Sequence, residues 1–312
     1  MTLQQFEYVV ALDDYRHYIT AAEHCFVSQP NLTMQIKKLE EEIGIKIFDR
    51  DKKPLEPTEI GREVISRARR ILLESKQIKE FIHHEKESME GEFTIGIIPT
   101  LAPYLLPLFL PHFIKENKKV HLKIQEIQTE QIIDQIENGM LDLGILVTPL
   151  NEKSIREIPV FYEPFLLYLP ENHRFLDAKL LLAEDLDPSE VLVLDEGHCF
   201  REQALSICKS AKHGSSIGFE YQSGSIEALK SLVKRGVGYT LVPELSIANE
   251  QNSIHVKRFT SPEPVREVSI VVHSNYIKES IVQRLKETIQ RLIPQDLLVE
   301  QKILNMDRNN RR

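Results

Sequence analysis

Cysteine is scarce in this sequence of 312 residues, with three thiols at positions 25, 199 and 208. So small and odd a number excludes a structural disulfide framework, and any bridge in a reducing compartment would have to be regulatory or catalytic. Long apolar runs are missing too. Nothing approaches the roughly 20 uninterrupted apolar residues of a membrane span, and "MTLQQFEYVV" lacks the basic, apolar and small-residue sections of a secretory leader. The expectation is a cytoplasmic protein with no membrane partner. No Gly-rich phosphate fingerprint is present, so no nucleotide cofactor is expected. Surplus positive charge is also lacking: the formal net charge is −8, which argues against indiscriminate nucleic-acid binding but leaves room for a local basic face. There are no internal repeats, and the only biased stretch is the polar tail "NMDRNNRR".

What is present suits globular cores. The apolar fraction is 42%, and the length allows two or three domains. The first ninety residues carry almost continuous helical periodicity. After "MEGE" the pattern turns to short β-branched strands alternating with helices. "FTIGIIP" precedes "LAPYLLPLFLPHFIKEN", "VHLKIQE" precedes "TEQIIDQIENG", and "LDLGILV" and "PFLLYLP" follow. "VLVLD", "IGFEY", "SIEALKSLVKRG", "GYTLVP", "VSIVVH" and a last helix from about Tyr276 complete the series. The fold class expected is α+β multidomain: a helical head, then two α/β subdomains with mainly parallel sheets. Ligands in such sheets sit at strand ends and helix amino termini.

In the head, "ITAAEHCFVSQPNLTMQIKKLEEEIG" reads as helix, tight turn, helix. Leu32, Ile36, Leu39 and Ile43 make one apolar stripe, with Ser28 as N-cap and Pro30 in the first turn. The other side offers Gln29, Asn31, Thr33, Met34, Gln35, Lys37 and Lys38. Amides and hydroxyls near a helix amino terminus can read base edges, and the lysines can meet phosphates; a merely solvated polar face is the alternative. Next, "IFDRDKKPLEPTEIG" has the form of a two-stranded wing presenting Arg50, Lys52 and Lys53 to a DNA backbone. Val64, Ala68, Ile71, Ser75, Ile78 and Ile82 then follow a heptad spacing that suits a dimerising coiled coil, or else a helix packed on its own domain. A dimer fits a palindromic operator of double-stranded DNA. Through residue 90, 17 acidic residues outnumber 14 basic ones, so affinity must come from local placement of charge. Cys25, among Ala21, Ala22 and Phe26, is expected to be a buried core thiol.

The other two cysteines fall in "EGHCFREQALSIC". Phe200, Ala204, Ile207 and Cys208 form one helical stripe, which would bury Cys208. Cys199 opens the helix, where free amides and the dipole favour a thiolate, with the positive charge of Arg201 two residues on. Nine residues of helix rise about 13.5 Å, whereas bridged cysteines lie within about 7 Å between Cα atoms. A disulfide is therefore incompatible with an intact helix, and forming one would unwind it. Two unrelated thiols remain an alternative. A zinc site of His198, Cys199, Cys208 and His213 is a weaker one, lacking the close Cys pair of closed sites, and no metal is expected.

"AAEHCFVSQPNLTMQIKKLEEEIGIKIFDR" resembles the signature of LysR-type transcriptional regulators, and the likeness extends over nearly the whole chain. It implies a winged helix-turn-helix over 1–58, a linker and dimerisation helix over 59–88, and a periplasmic-binding-protein-like regulatory domain over 89–312. Within that domain, subdomain I would take about 89–162 and 267–300, and subdomain II about 163–266. One departure is Met34, where many members carry Arg. "EGHCFREQALSIC", "IPTLAPYLLP" and "EIQTEQ" are similar to peroxide-sensing members. That resemblance implies a peroxidatic Cys199, a resolving Cys208, and a hydrogen peroxide pocket shaped by Thr100, Thr129, His198 and Arg201. It also implies a homotetramer built from homodimers, RNA polymerase as partner, a glutaredoxin or thioredoxin as reductant, and no enzymatic turnover. A metabolite-induced regulator and a thiol peroxidase are the alternatives; a solute-binding protein would need the missing leader.

Overall fold

The computed structural model describes residues 1–83, 90–195, 199–207, 224–248, 250 and 253–299, without the side chains of 76–83, 188 and 199. The chain divides into a small amino-terminal and a larger carboxyl-terminal unit.

The amino-terminal unit begins with α1 (Leu3–Tyr15), closed by a capping box in which the Thr2 hydroxyl accepts from the Gln5 amide and the Gln5 side chain accepts from the Thr2 amide. Helices α2 (Tyr18–His24) and α3 (Gln29–Ile43) follow, and Gly44 ends α3 at φ +74°, a conformation that glycine adopts without penalty. Leu32, Ile36 and Leu39 are buried against Val9, Leu12 and Ala21, and Ile43 packs partly against them, as the stripe requires. The hairpin of β1 (Phe48–Asp49) and β2 (Glu56–Pro57) is antiparallel, with Phe48 opposite Pro57. Helix α4 (Glu59–His83) comes next. Its anticipated seam divides between two environments. Ala68 is buried within the chain and Val64 packs partly on the head core, while Ile71 is 43% exposed. The head itself takes up the first turns, and Ser75 is half-buried; the side chains of Ile78 and Ile82 lie outside the described residues.

The carboxyl-terminal unit runs β3 (Gly91–Ile97), α5 (Ala102–Glu116), β4 (Val120–Glu126), α6 (Thr129–Glu137), β5 (Leu143–Thr148) and β6 (Ile155–Tyr168). It continues with β7 (Val191–Leu192), α7 (Cys199–Ile207), α8 (Ile226–Lys234), β8 (Tyr239–Pro243), β9 (Val256–Arg258), β10 (Val265–His273) and α9 (Glu279–Leu292). The strand order is β4-β3-β5-β10-β6-β8-β7, with β9 also on β6. The expectation of mainly parallel sheets needs correction. β3 is parallel to β4 and β5, and β7 to β8, but β10 is antiparallel to β5 and β6, and β6 to β8 and β9. The reason is β6, a 14-residue strand whose first part joins one hydrophobic core and whose last part joins another. Val160 and Phe161 belong to the first core, with Leu105, Phe109, Leu143 and Ile270. Phe165 to Leu169 belong to the second, with Phe200, Leu229 and Leu241. Strand β10 returns beside it, so two antiparallel strands connect the halves. The segment "IGFEY" lies outside the described residues.

An acid-sensitive network anchors α8 to β6. Lys230 Nζ, nearly buried, donates to Glu227 (3.1 Å) and to the Ser246 carbonyl (3.0 Å) and pairs with Glu250 (2.8 Å). The Tyr168 hydroxyl donates to Glu250 at 2.6 Å. Burial by itself would raise the Glu250 pKa, but the bonds from Lys230, Tyr168 and Lys234 outweigh it and hold the carboxyl at about 2, against an ordinary 4.5. A depressed carboxylate contributes stability that is complete above its unfolded pKa and disappears as pH falls through the folded one. Glu250→Gln is therefore expected to flatten the fall in stability between pH about 4.5 and about 2. Denaturant melts of variant and wild type across that window check it; parallel curves would refute the assignment.

Candidate functional site

The exposed side of α3 collects most of the residues proposed to meet DNA. Ser28 precedes the helix, but its hydroxyl makes no cap bond, so the expected N-cap is filled in position only. Pro30, Lys37 and Lys38 are exposed, and Asn31, Thr33 and Gln35 half-buried. Gln29 donates to Thr33 (3.0 Å), and Gln35 accepts from Gln5 (3.4 Å). Lys37 lies 3.7 Å from Glu41 and Lys52 2.6 Å from Glu56. Exposed pairs of this kind are worth little and yield readily to a phosphate. Lys53 is exposed in the hairpin.

Arg50 is different. It donates to Glu40 at 2.9 Å, and that buried carboxylate also accepts the amides of Ile47 (2.8 Å) and Phe48 (3.2 Å). Glu40 thereby pins the hairpin to α3 and orients Arg50. Sequence reasoning missed Glu40, although its place eight residues after Leu32, on the apolar side, was a signal. Cys25 ends α2 and is half-buried rather than fully so. Burial, helped by the negative charge of Glu7, pushes its thiol up.

In the carboxyl-terminal unit, Thr100 follows β3 in a turn and is buried. Its hydroxyl accepts from Arg266 Nη1 and its carbonyl from Arg266 Nη2, both at 3.2 Å, so the threonine proton is left to donate. Arg266, fully buried, is held by Glu163 Oε2 at 2.9 and 2.7 Å. The other oxygen of Glu163 accepts the Leu245 amide at 2.8 Å. The guanidinium also lies over the Phe200 ring, 5.5 Å from its centroid. Phe200 is the second residue of α7, so one buried cation ties the helix that Cys199 opens to the turn bearing Thr100. Neither Arg266 nor Glu163 was singled out from the sequence.

Thr129 is buried as the first residue of α6; Gln128 precedes the helix and its amide donates to Gln131 at 3.1 Å. Arg201 donates to the Leu194 carbonyl at 2.8 Å, which draws its guanidinium toward the chain preceding α7. Phe200, Gln203, Ala204 and Ile207 bury one face of α7. Gln203 carries a buried Oε1 with no hydrogen-bond partner among the described residues, a turn beyond Cys199. This too was missed, since only burial distinguishes it from a surface glutamine. His198, Cys208 and His213 lie outside the described residues, as does the Cys199 side chain. Among the described residues there is no cluster of three or more potential metal ligands. An open cleft of about 630 Å³ is lined by Pro99 and Gln128, the chain neighbours of the two threonines, with Glu126, Ile127 and Gln131 from the same half and Gly224 and Ser225 from the other.

Two family models decide what this arrangement belongs to. Residues 3–62 match the bacterial regulatory helix-turn-helix proteins of the lysR family, and residues 86–293 match the LysR substrate binding domain. The chain belongs to the LysR family. LysR relatives include the hydrogen peroxide-inducible genes activator of Haemophilus influenzae, 37% identical over 273 residues (87% of this chain, 90% of that protein). The DNA-binding transcriptional dual regulator OxyR of Escherichia coli is 35% identical over 292 residues (93% and 95%). Among solved LysR structures, a full-length OxyR variant from Pseudomonas aeruginosa superposes with a TM-score of 0.80 at 29% identity, covering 94% of this chain and 99% of that one. A Corynebacterium glutamicum OxyR mutant with hydrogen peroxide bound gives 0.61 at 26%, covering 98% of each. This LysR chain thus pairs a helix-turn-helix with a two-part α/β regulatory unit, and among its described residues no helix is long and apolar enough to cross a membrane.

Proposed function

We propose that this protein is a cytoplasmic, peroxide-sensing transcriptional regulator in which Cys199 is oxidised and Cys208 resolves it. The observation that carries the reading is the buried Arg266, which joins Thr100 to the helix that Cys199 opens. The Cys199 thiolate attacks one peroxide oxygen, the O–O bond breaks, and the departing hydroxide takes a proton to become water. Cys208 then displaces a second water from the Cys199 sulfenic acid, leaving a disulfide. Thr100, Thr129, His198 and Arg201 shape the pocket, and the buried Gln203 Oε1, without a partner among the described residues, suits the hydroxyl of the sulfenic acid.

The division of labour follows the boundaries 1–58, 59–88 and 89–312, with Ser28 to Lys38 and the hairpin residues Arg50, Lys52 and Lys53 toward an operator duplex. Self-association into dimers and tetramers is supported by the outer face of α5, where Pro107 and Pro111 are exposed, Leu106 and Leu110 half-buried and Ile114 52% exposed. That surface is apolar beyond what a solvated helix needs. The regulator engages RNA polymerase, and a glutaredoxin or thioredoxin returns it to the thiol state. It senses rather than turns over.

The test uses the full-length protein with a small excess of hydrogen peroxide. The expected result is an intramolecular Cys199 to Cys208 disulfide by mass spectrometry together with an altered footprint on its operator. An unchanged footprint with no such bridge would end the reading. One observation favours a second reading, induction by a metabolite: the cleft of about 630 Å³ is of the size that holds small organic ligands. That reading requires a Cys199→Ser variant with normal induction.

A further inference from the structure

Helix α2 closes with a motif that asks for glycine and receives phenylalanine. The Phe26 amide donates to the Glu23 carbonyl (3.1 Å) and the Val27 amide to the Ala22 carbonyl (3.0 Å), the paired bonds of a Schellman ending. The residue at its pivot must take a left-handed conformation, and Phe26 does so at φ +54°. A side chain with a Cβ is disfavoured there. Burial does not compensate, because the ring is 96% exposed. The fold therefore disfavours an aromatic at this point twice, once in the backbone and once in solvation. Phe26 stands two residues before Ser28, at the entry to α3. On α3 a second apolar side chain, Met34, is 57% exposed. It shares a face with Pro30, Lys37 and Lys38, three or four residues away on either side. Two bare apolar groups thus flank amides, hydroxyls and lysines at the end of a helix suited to the major groove. The apolar feature a duplex shows in that groove is the thymine 5-methyl group.

We propose that Phe26 and Met34 are specificity-determining residues that read thymine methyl groups in the operator. The inference rests on the DNA-binding reading above. The experiment begins by enriching duplexes from a random pool with the full-length protein, then replaces thymines of the enriched duplex one at a time by deoxyuridine, which lacks only the methyl. Wild type is expected to bind about fourfold more weakly for each contacted thymine replaced. Met34→Ala and Phe26→Gly are expected to bind the parent duplex several-fold more weakly and to lose discrimination at distinct thymines. Both substitutions suit the local backbone, and Phe26→Gly is expected to melt at or above the wild-type temperature. If a duplex is enriched but wild type treats thymine and deoxyuridine alike, or both variants discriminate as wild type does, the inference is overturned while DNA binding stands. If nothing is enriched, the DNA-binding reading falls and takes the inference with it.

Discussion

Glu163→Gln is expected to lower the stability of the carboxyl-terminal unit by about 3–5 kcal/mol, because it leaves the Arg266 cation buried without its counter-charge. Both side chains are wholly shielded from solvent. Glu163 faces Arg266 across β6 and β10 as a registered pair. A neutral amide can still accept one hydrogen bond from the guanidinium, but it cannot offset the desolvation of the charge. At roughly 2–4 °C per kcal/mol for a unit of this size, the melting transition should fall by about 10 °C. The companion variant separates lost pairing from lost packing: replacing both partners, as Glu163→Leu with Arg266→Met, removes the two charges together and should recover most of the loss. A Glu163→Gln protein that melts within about a degree of wild type would show that water reaches the pair.

That pair also marks what a sequence hides. Glu163 was visible as a lone charge in the apolar strand "VFYEPFLLY", whereas Arg266 stands beside Glu267 near the start of "VREVSIVVH". Glu163 and Arg266 are 103 residues apart in the chain, and nothing local predicts their register until β6 and β10 are known to run antiparallel. The same gap explains the sheet. Short β-branched runs between helices suggested parallel pairing, and β3, β4 and β5 obey it. The long return strand β10 is fixed instead by the need of two halves to share a chain that leaves and comes back. Local signals fared better where packing is local. The Leu32, Ile36, Leu39 stripe and the hairpin each depend on residues close together in the chain, and the structure realises both. Where a residue had two possible burial partners, periodicity could not choose. Ala68 fits a coiled-coil seam and a helix packed on its own domain equally well by spacing, and it is buried within the single chain.

Thr100 and Thr129 entered the candidate site through the family resemblance, and they lie just after a strand and at a helix start; the polarisation of Thr100 had no signal in the sequence. The Thr100 hydroxyl becomes a donor because Arg266 occupies its acceptor side, a consequence of that distant pairing. Gln203 was indistinguishable in sequence from a solvated helix residue, whereas Glu40 was marked by its place on the apolar side of α3. Burial makes the first an acceptor with no partner among the described residues and the second the clamp that holds Arg50.

Thr129→Val is expected to slow oxidation of Cys199 by about 10²-fold or more, the usual consequence of removing one preorganised donor to a developing charge, while the thiol titrates almost as before. An ordinary thiol of pKa about 8.5 is already about 7% ionised at pH about 7.4. Complete ionisation could therefore contribute little more than tenfold, and a faster reaction must draw on groups that position peroxide and meet the charge on the leaving oxygen. Thr129, rather than Thr100, is the hydroxyl to remove. Valine matches its shape at the first position of α6, whereas Thr100→Val would also take an acceptor from Arg266 Nη1 and disturb the buried pair. The measurements are the rate of sulfenic acid or disulfide formation under limiting hydrogen peroxide, and the pH dependence of Cys199 alkylation by a neutral reagent. A slow variant with an unshifted alkylation profile assigns the hydroxyl to the transition state. Equal oxidation rates in variant and wild type, or a slowing matched by the shift in thiol ionisation, would remove Thr129 from the pocket.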